Sequence, residues 1–171
     1  MTRHGKITCA IFLLLTVVGA GVPLAGAAEL VGAHSDWKTY RHGAGDEKLC
    51  FAVSEPGEAN PKGLQRQSPH VYVTAWPKAG VKAEISVLIG AALKKGVEIK
   101  ADVDGSQFDL FPDGDRAYVS NANEEVKLLD AMRRGRSLTI TATTASGQQT
   151  RDVYSLSGVT AAVQAMSSDC S

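Results

Sequence analysis

Cysteine and histidine are the first places to look for chemistry in this 171-residue chain, which holds three of the one and four of the other. Cys9 opens an apolar run, Cys50 sits in KLCFAVS, and Cys170 stands one residue from the end, in SSDCS. A thiolate nucleophile needs a base or a positive neighbour, and a cycling redox pair is read from C-x-x-C, which is missing. In an oxidising compartment Cys50 and Cys170 read instead as disulfide halves, with one intramolecular pairing between them. A bridge between two chains and a histidine-assisted Cys50 are the alternatives. His34, His42 and His70 form no H-x-x-x-H pair, so no zinc set is read. DVDGSQFD looks like a calcium loop, but its glycine follows directly on the second Asp and the twelfth position lacks Glu. G-x-S-x-G, S-x-x-K and H-E-x-x-H are missing, and the carboxylates are scattered with no acid–base pair among them. The reading is therefore no metal, no cofactor and no enzyme, with a site assembled from distant residues as the rival.

One charged cluster stands out. Arg133, Arg134 and Arg136, in RRGR, suit an anionic surface such as lipid or lipopolysaccharide, and equally suit a helix C-terminus, whose dipole favours cations. Lys94 and Lys95 would extend the patch if the fold brought them close. The aromatic residues Trp37, Trp76, Tyr72, Tyr118 and Tyr154 lie on or beside strand-like runs, where packing in the core or on a sheet face is the default. A stacking platform would need them on one exposed face.

The compartment is read from the first residues. MTRHGK is basic, the strongest apolar stretch runs from Ile7 to Val18, and AGAAE offers a small-residue cleavage step, which is the make-up of a secretory signal peptide over 1–28. That stretch of roughly 12 residues falls short of the roughly 20 a membrane span needs. The expectation is a periplasmic or secreted protein, with Cys9 lost on cleavage and no integral membrane segment afterwards. Residues 29–171 then form one domain with 16 basic and 18 acidic residues. Such a near balance argues against a nucleic-acid partner, which calls for a basic excess on one face.

Elements that would position any site are mainly β. Nine short runs alternate or are apolar throughout: DWKTYR, KLCFAVS, HVYVTAW, AEISVLIG, VEIKADV, FDLF, RAYVS, SLTITATT and TRDVYSLS. Asp104-Gly105 between two of them predicts a tight hairpin, while PDGD and ASGQQ predict further turns. The expected fold is an antiparallel β-sandwich or barrel-like domain of about eight strands. SEPGEANPKGLQRQSP, residues 54–69, is the long loop and a place for contacts. Two helices interrupt the β pattern. One spans about 123–134, capped by Asn123 and ended by Gly135; the other spans about 158–168, capped by Ser157, with Val159, Ala162, Val163 and Met166 on its apolar face.

Taken in order, SDWKTY, LCFAVSE, VYVTAWP, GVEIKADVDG, RRGRSLTI and SLSGVTAAV resemble the invasion-associated locus B family, exported envelope proteins of alphaproteobacteria, from about Asp36 to Met166. The resemblance implies an exported β-rich domain without established catalysis, in a family named for host-cell entry. It supplies no binding residue to carry over, and the partner it leaves open is a protein or an envelope component. Family members often place a cysteine where this chain has Tyr40-Arg41, and a further pair near FDLFPDGDRAYVS. Cys50 matches a family cysteine, and the resemblance implies that Cys170 replaces its missing partner.

Overall fold

Alternation between buried and exposed residues dictates most of the architecture. The computed structural model describes residues 27–171, so Cys9 and all but the last two residues of the expected signal peptide lie outside the described residues. Eleven strands, β1 (Glu29–His34), β2 (Trp37–His42), β3 (Leu49–Ser54), β4 (Glu58–Asn60), β5 (His70–Trp76), β6 (Val81–Leu88), β7 (Ile99–Val103), β8 (Ser106–Asp113), β9 (Arg116–Val119), β10 (Ser137–Thr143) and β11 (Gln149–Ser155), are joined by helices α1 (Ala122–Arg134) and α2 (Val159–Asp169). All pairings are antiparallel, in one sheet of order β1-β2-β3-β5-β6-β9-β8-β7-β10-β11-β4. The fold is thus mainly antiparallel β, as expected, but with eleven strands in a single sheet rather than about eight. The nine strand-like runs all form strands, β1 and β4 are additions to them, and both additions are edge strands.

One face of this sheet is mainly apolar, with Thr39, Thr150 and Asp152 as polar exceptions. Cys50, Ala52, Val71, Val73, Ile85, Val87, Ala117, Leu110, Ile99, Ala101, Leu138, Ile140 and Tyr154 form one continuous core with the inner faces of both helices. A sheet that buries only one face over so many strands must curl around it. Its ends do meet. Trp37 Nε1, from β2, donates to Ser155 O of β11 at 3.0 Å, and Asp36 N donates to Ser157 O at 3.2 Å. The chain itself ties the seam, because β3 ends at Ser54 and β4, paired with β11, begins at Glu58. Four residue steps span at most ~14 Å. The domain is barrel-like, with the seam closed by the Trp37 side chain, one backbone bond and a short linker instead of an eleventh ladder.

Trp37, fully buried, is the main seam residue. Trp37→Phe removes its N–H, strands the Ser155 carbonyl and leaves a void, so a cost of about 1–3 kcal/mol is expected in urea unfolding. An unchanged midpoint would mean that the seam is held elsewhere.

Helix ends depart from expectation in instructive ways. Asn121, not Asn123, caps α1: its side chain accepts from Asn123 N and Glu124 N, both at 3.1 Å. Leu128, Leu129 and Met132 turn inward, Gly135 terminates the helix, and Glu125 accepts from Ile85 N at 2.6 Å, docking α1 on β6. α2 is capped by Gly158 in the left-handed region, φ 94°, and not by Ser157. The reason is steric, since a Cβ at Gly158 would lie 1.9 Å from His34 O. Ser157 instead gives its carbonyl to the seam.

Asp104-Gly105 forms the expected two-residue hairpin, with Val103 opposite Ser106 and φ of 48° and 94°. Pro112, expected in a turn, lies within β8, and the turn narrows to Gly114-Asp115. Asp104 also reaches across to β10, where its carboxylate accepts from Arg136 N at 2.8 Å, Ser137 N at 3.3 Å and Ser137 Oγ at 3.0 Å. These bonds, the Arg136 amide foremost, hold its carboxyl below the ordinary 3.8. A depressed folded pKa stabilises fully above the unfolded value and is lost as pH falls through the folded one. Asp104→Asn tolerates the same turn but cannot ionise, so between pH 5 and pH 2 it should lose less stability than the wild type. Parallel acid limbs would refute that role.

Candidate functional site

Three places in the described residues gather side chains that chemistry could use. The first is internal. The loop after β4 does not hang free: Arg66 enters the core and pairs with Asp152 of β11, Nη1 to Oδ2 at 2.8 Å and Nη2 to Oδ1 at 2.5 Å, with Nη1 also donating to Ile89 O at 3.0 Å. Arg66 is 5% exposed and Asp152 0%. Gly90 lets this loop approach, since a Cβ there would lie 2.2 Å from Gln67 O. The Tyr154 hydroxyl, buried without a partner, is pushed above the ordinary phenol range first by burial and then by the Asp152 charge. This cluster is sealed from solvent. Its chemistry is structural, a fork-shaped pair that fixes β11 to the loop and to the end of β6.

The second is the terminal clasp. Cys50 and Cys170 are bonded, with Cα atoms 5.9 Å apart and 120 residues between them in sequence. Asp169, the last residue of α2, pairs with Arg41 at 3.2 Å and Lys48 at 3.7 Å, and its carbonyl accepts from Lys48 Nζ. Cys50 is 0% exposed. The Cys50 sulfur is out of reach of thiolate attack, while Cys170 is only partly buried.

The third is a strip on the outer face. Inward positions of β2, β3 and β5 are Thr39, Cys50, Ala52, Val71 and Val73, so period two turns Tyr40, Phe51 and Tyr72 outward. Tyr40 and Phe51 are cross-strand partners, stacked at 5.3 Å and 18° between planes; Phe51 and Tyr72 are 6.0 Å apart. The same row continues through Ser86 of β6 to Tyr118 of β9 and Phe111 of β8, the last two rings 5.9 Å apart. Arg116 lies over Tyr72, 5.4 Å from the ring centre. Five strand steps at roughly 4.8 Å make the strip about 24 Å long. Where it reaches the seam it floors an open groove of about 710 Å³, bordered by Lys38, His70, Asp36 and the Ser54–Gly57 linker. His70 and Glu55 face each other there at 3.4 Å.

The aromatic default therefore divides. Trp37 and Tyr154 are core residues, while Tyr72 and Tyr118 belong to the outer strip with Tyr40, Phe51 and Phe111, which the sequence reading did not single out. Strand parity was the available signal, because each of these rings sits between inward neighbours. The sequence-derived arginines lie elsewhere. Arg133, Arg134 and Arg136 are exposed at the end of α1 and before β10, with Arg133 paired to Asp130 at 3.5 Å. Lys94 N bonds Thr143 O at the far end of β10, 3.0 Å away. The seven residues of β10 separate the two sets by about 20 Å. Lys94 and Lys95 do not extend the patch.

Among the described residues, no three His, Cys, Asp or Glu side chains are grouped to hold a metal ion, and no helix is long and apolar enough to cross a membrane. A family model described as "Invasion associated locus B (IalB) protein" matches residues 37–167. A solved structure similar to this chain is the crystal structure of invasion associated protein B from Bartonella henselae, 15% identical, with a TM-score of 0.55 over 82% of this chain and 95% of that one. At that identity the likeness concerns the fold. A comparison with curated proteins finds no match.

Proposed function

The chain belongs to the invasion associated locus B family, and from that premise we propose that it is a non-enzymatic binding module, exported to the periplasm or beyond, that engages an envelope component through its outer aromatic strip. The observation that carries this is the row Tyr40–Phe51–Tyr72 flooring an open groove at the seam. Aromatic rings left half-exposed on a rigid sheet give a large contact area at little conformational cost, which is what recognition surfaces use. A catalytic site asks for polar groups that converge in a closed pocket. Here the buried Arg66 and Asp152 hold each other, and the groove is open.

Export rests on the basic and apolar residues of 1–28, the disulfide and the family premise. In an oxidising compartment the bridge would stay closed, and residues 29–171 would work as one domain without a membrane segment. Arg133, Arg134 and Arg136 have no part in this reading; they complement the α1 dipole.

Affinity capture tests it. The purified protein, immobilised and exposed to a detergent-solubilised envelope fraction of its source cells, should retain a specific component. Phe51→Ala with Tyr72→Ala should cut retention about tenfold, the effect of losing one good anchor, and Arg133→Ala should not. Retention indifferent to the groove, or none, would sink the proposal.

A further inference from the structure

The strip's shape and charge narrow what can lie on it. Resting on the reading of this groove as the binding face, we infer that its occupant is an uncharged, hydroxyl-rich glycan chain of the envelope. Length comes first. Five rings, Tyr40, Phe51, Tyr72, Tyr118 and Phe111, follow one another across the outer faces of β2, β3, β5, β9 and β8, with a diagonal step from Phe51 to Tyr72 and the buried Ser86 of β6 between Tyr72 and Tyr118. A strip of about 24 Å suits a chain-like ligand more than a compact one.

Charge decides the chemistry of that chain. The groove's border carries both signs, with Lys38 and His70 against Asp36 and Glu55, and Arg116 is engaged with Tyr72. A polyanion, nucleic acid included, needs a run of cations and would meet two carboxylates here. An acyl chain carries no polar group to meet the charged border. A proline-rich peptide also docks on aromatic rows. Having few N–H groups, it offers Asp36 and Glu55, which only accept hydrogen bonds, few donors. A pyranose chain meets every condition. Its C–H surface packs against the exposed parts of the Tyr40–Phe51 stack and of Tyr72, whose face Arg116 shares, its hydroxyls donate to Asp36 and Glu55, and the same hydroxyls accept from Lys38.

Titration calorimetry of the purified protein with cellohexaose and with chitohexaose tests this. The two probes distinguish plain hydroxyls from acetamido groups. Binding of at least one is expected, weakened about tenfold by Tyr72→Ala or Phe51→Ala, as loss of a stacking ring commonly costs. Tyr72→Phe, which keeps the ring, should stay within about threefold of wild type, a spread no larger than ordinary context effects. Both alanines fall at half-exposed positions, and an unchanged thermal midpoint identifies them as folded. No heat with either sugar, heat that ignores both alanines, or groove-dependent binding of a polyproline peptide or heparin dodecasaccharide instead would each overturn the inference. The two levels separate cleanly. Groove-dependent capture of an envelope protein without sugar binding removes the glycan and leaves the module, whereas capture indifferent to the groove removes both.

Discussion

Asp152→Ala is expected to destabilise the domain by about 3–5 kcal/mol, because it leaves the Arg66 guanidinium buried with no counter-charge. Both partners are almost sealed, at 5% and 0% exposure, so water cannot replace the lost carboxylate without opening the core. For a domain of this size each kcal/mol moves the melting point by roughly 3–4 °C, and a fall of roughly 9–20 °C follows. The loss should not be read as the worth of the pair. Desolvating two charges offsets most of their attraction, so Arg66→Met with Asp152→Leu, similar in bulk, should recover most of the stability. Double-mutant analysis by thermal unfolding decides. A single variant within about 1 kcal/mol of wild type would mean that the loop can withdraw Arg66 into solvent.

Removing the clasp is the second large effect. A bridge between residues 120 apart restricts the unfolded chain by about 5 kcal/mol in the loop-entropy picture, and measured losses fall at about 2–5 kcal/mol. The ion pairs beside it cannot compensate. Arg41 is 39% exposed and Lys48 28%, and exposed pairs contribute about 0–1 kcal/mol. Cys50→Ala with Cys170→Ala should therefore melt well below wild type, and reductant should lower the wild type toward it without moving the variant. Hydrogen exchange should rise first in the last turn of α2, where Asp169 and Cys170 lose their anchor. Equal melting points would show that α2 is held by Val159, Ala162, Val163 and Met166 alone.

How much of this could be read before folding follows from what each residue has to bury. Strands such as VEIKADV, with one wet and one dry face, announce themselves by period two, and nine of eleven were legible on that ground. β1 and β4 were not. ELVGAH and EAN are exposed edges that bury little, so selection leaves no alternation on them. The capping miss at Asn121 has a similar cause, since Asn121 and Asn123 are chemically equal candidates and the turn from β9 chooses between them. Ser157 lost its role to Gly158 because His34 O comes within reach only when the seam closes, a contact 124 residues away in sequence.

Site residues divide along the same line. Cys50 and Cys170 were legible because two cysteines allow one intramolecular pairing, which the fold makes. Arg66–Asp152 was hidden, since neither residue stands out in QRQS or TRDVY until the loop folds inward. The aromatic strip lies between these cases. Each ring's outward direction follows from its own strand, but their adjacency needs the order β2-β3-β5-β6-β9-β8, in which β6 pairs with β9 across the intervening β7 and β8.

Chemical-shift mapping of the isotopically labelled protein, titrated with the solubilised envelope fraction, tests the central claim most directly. The account predicts shifts centred on Tyr40, Phe51, Tyr72 and His70 and fading along the strip toward Phe111, with Arg133 to Arg136 silent. Shifts centred on the arginine cluster, or none in the groove while the fraction binds, would contradict it.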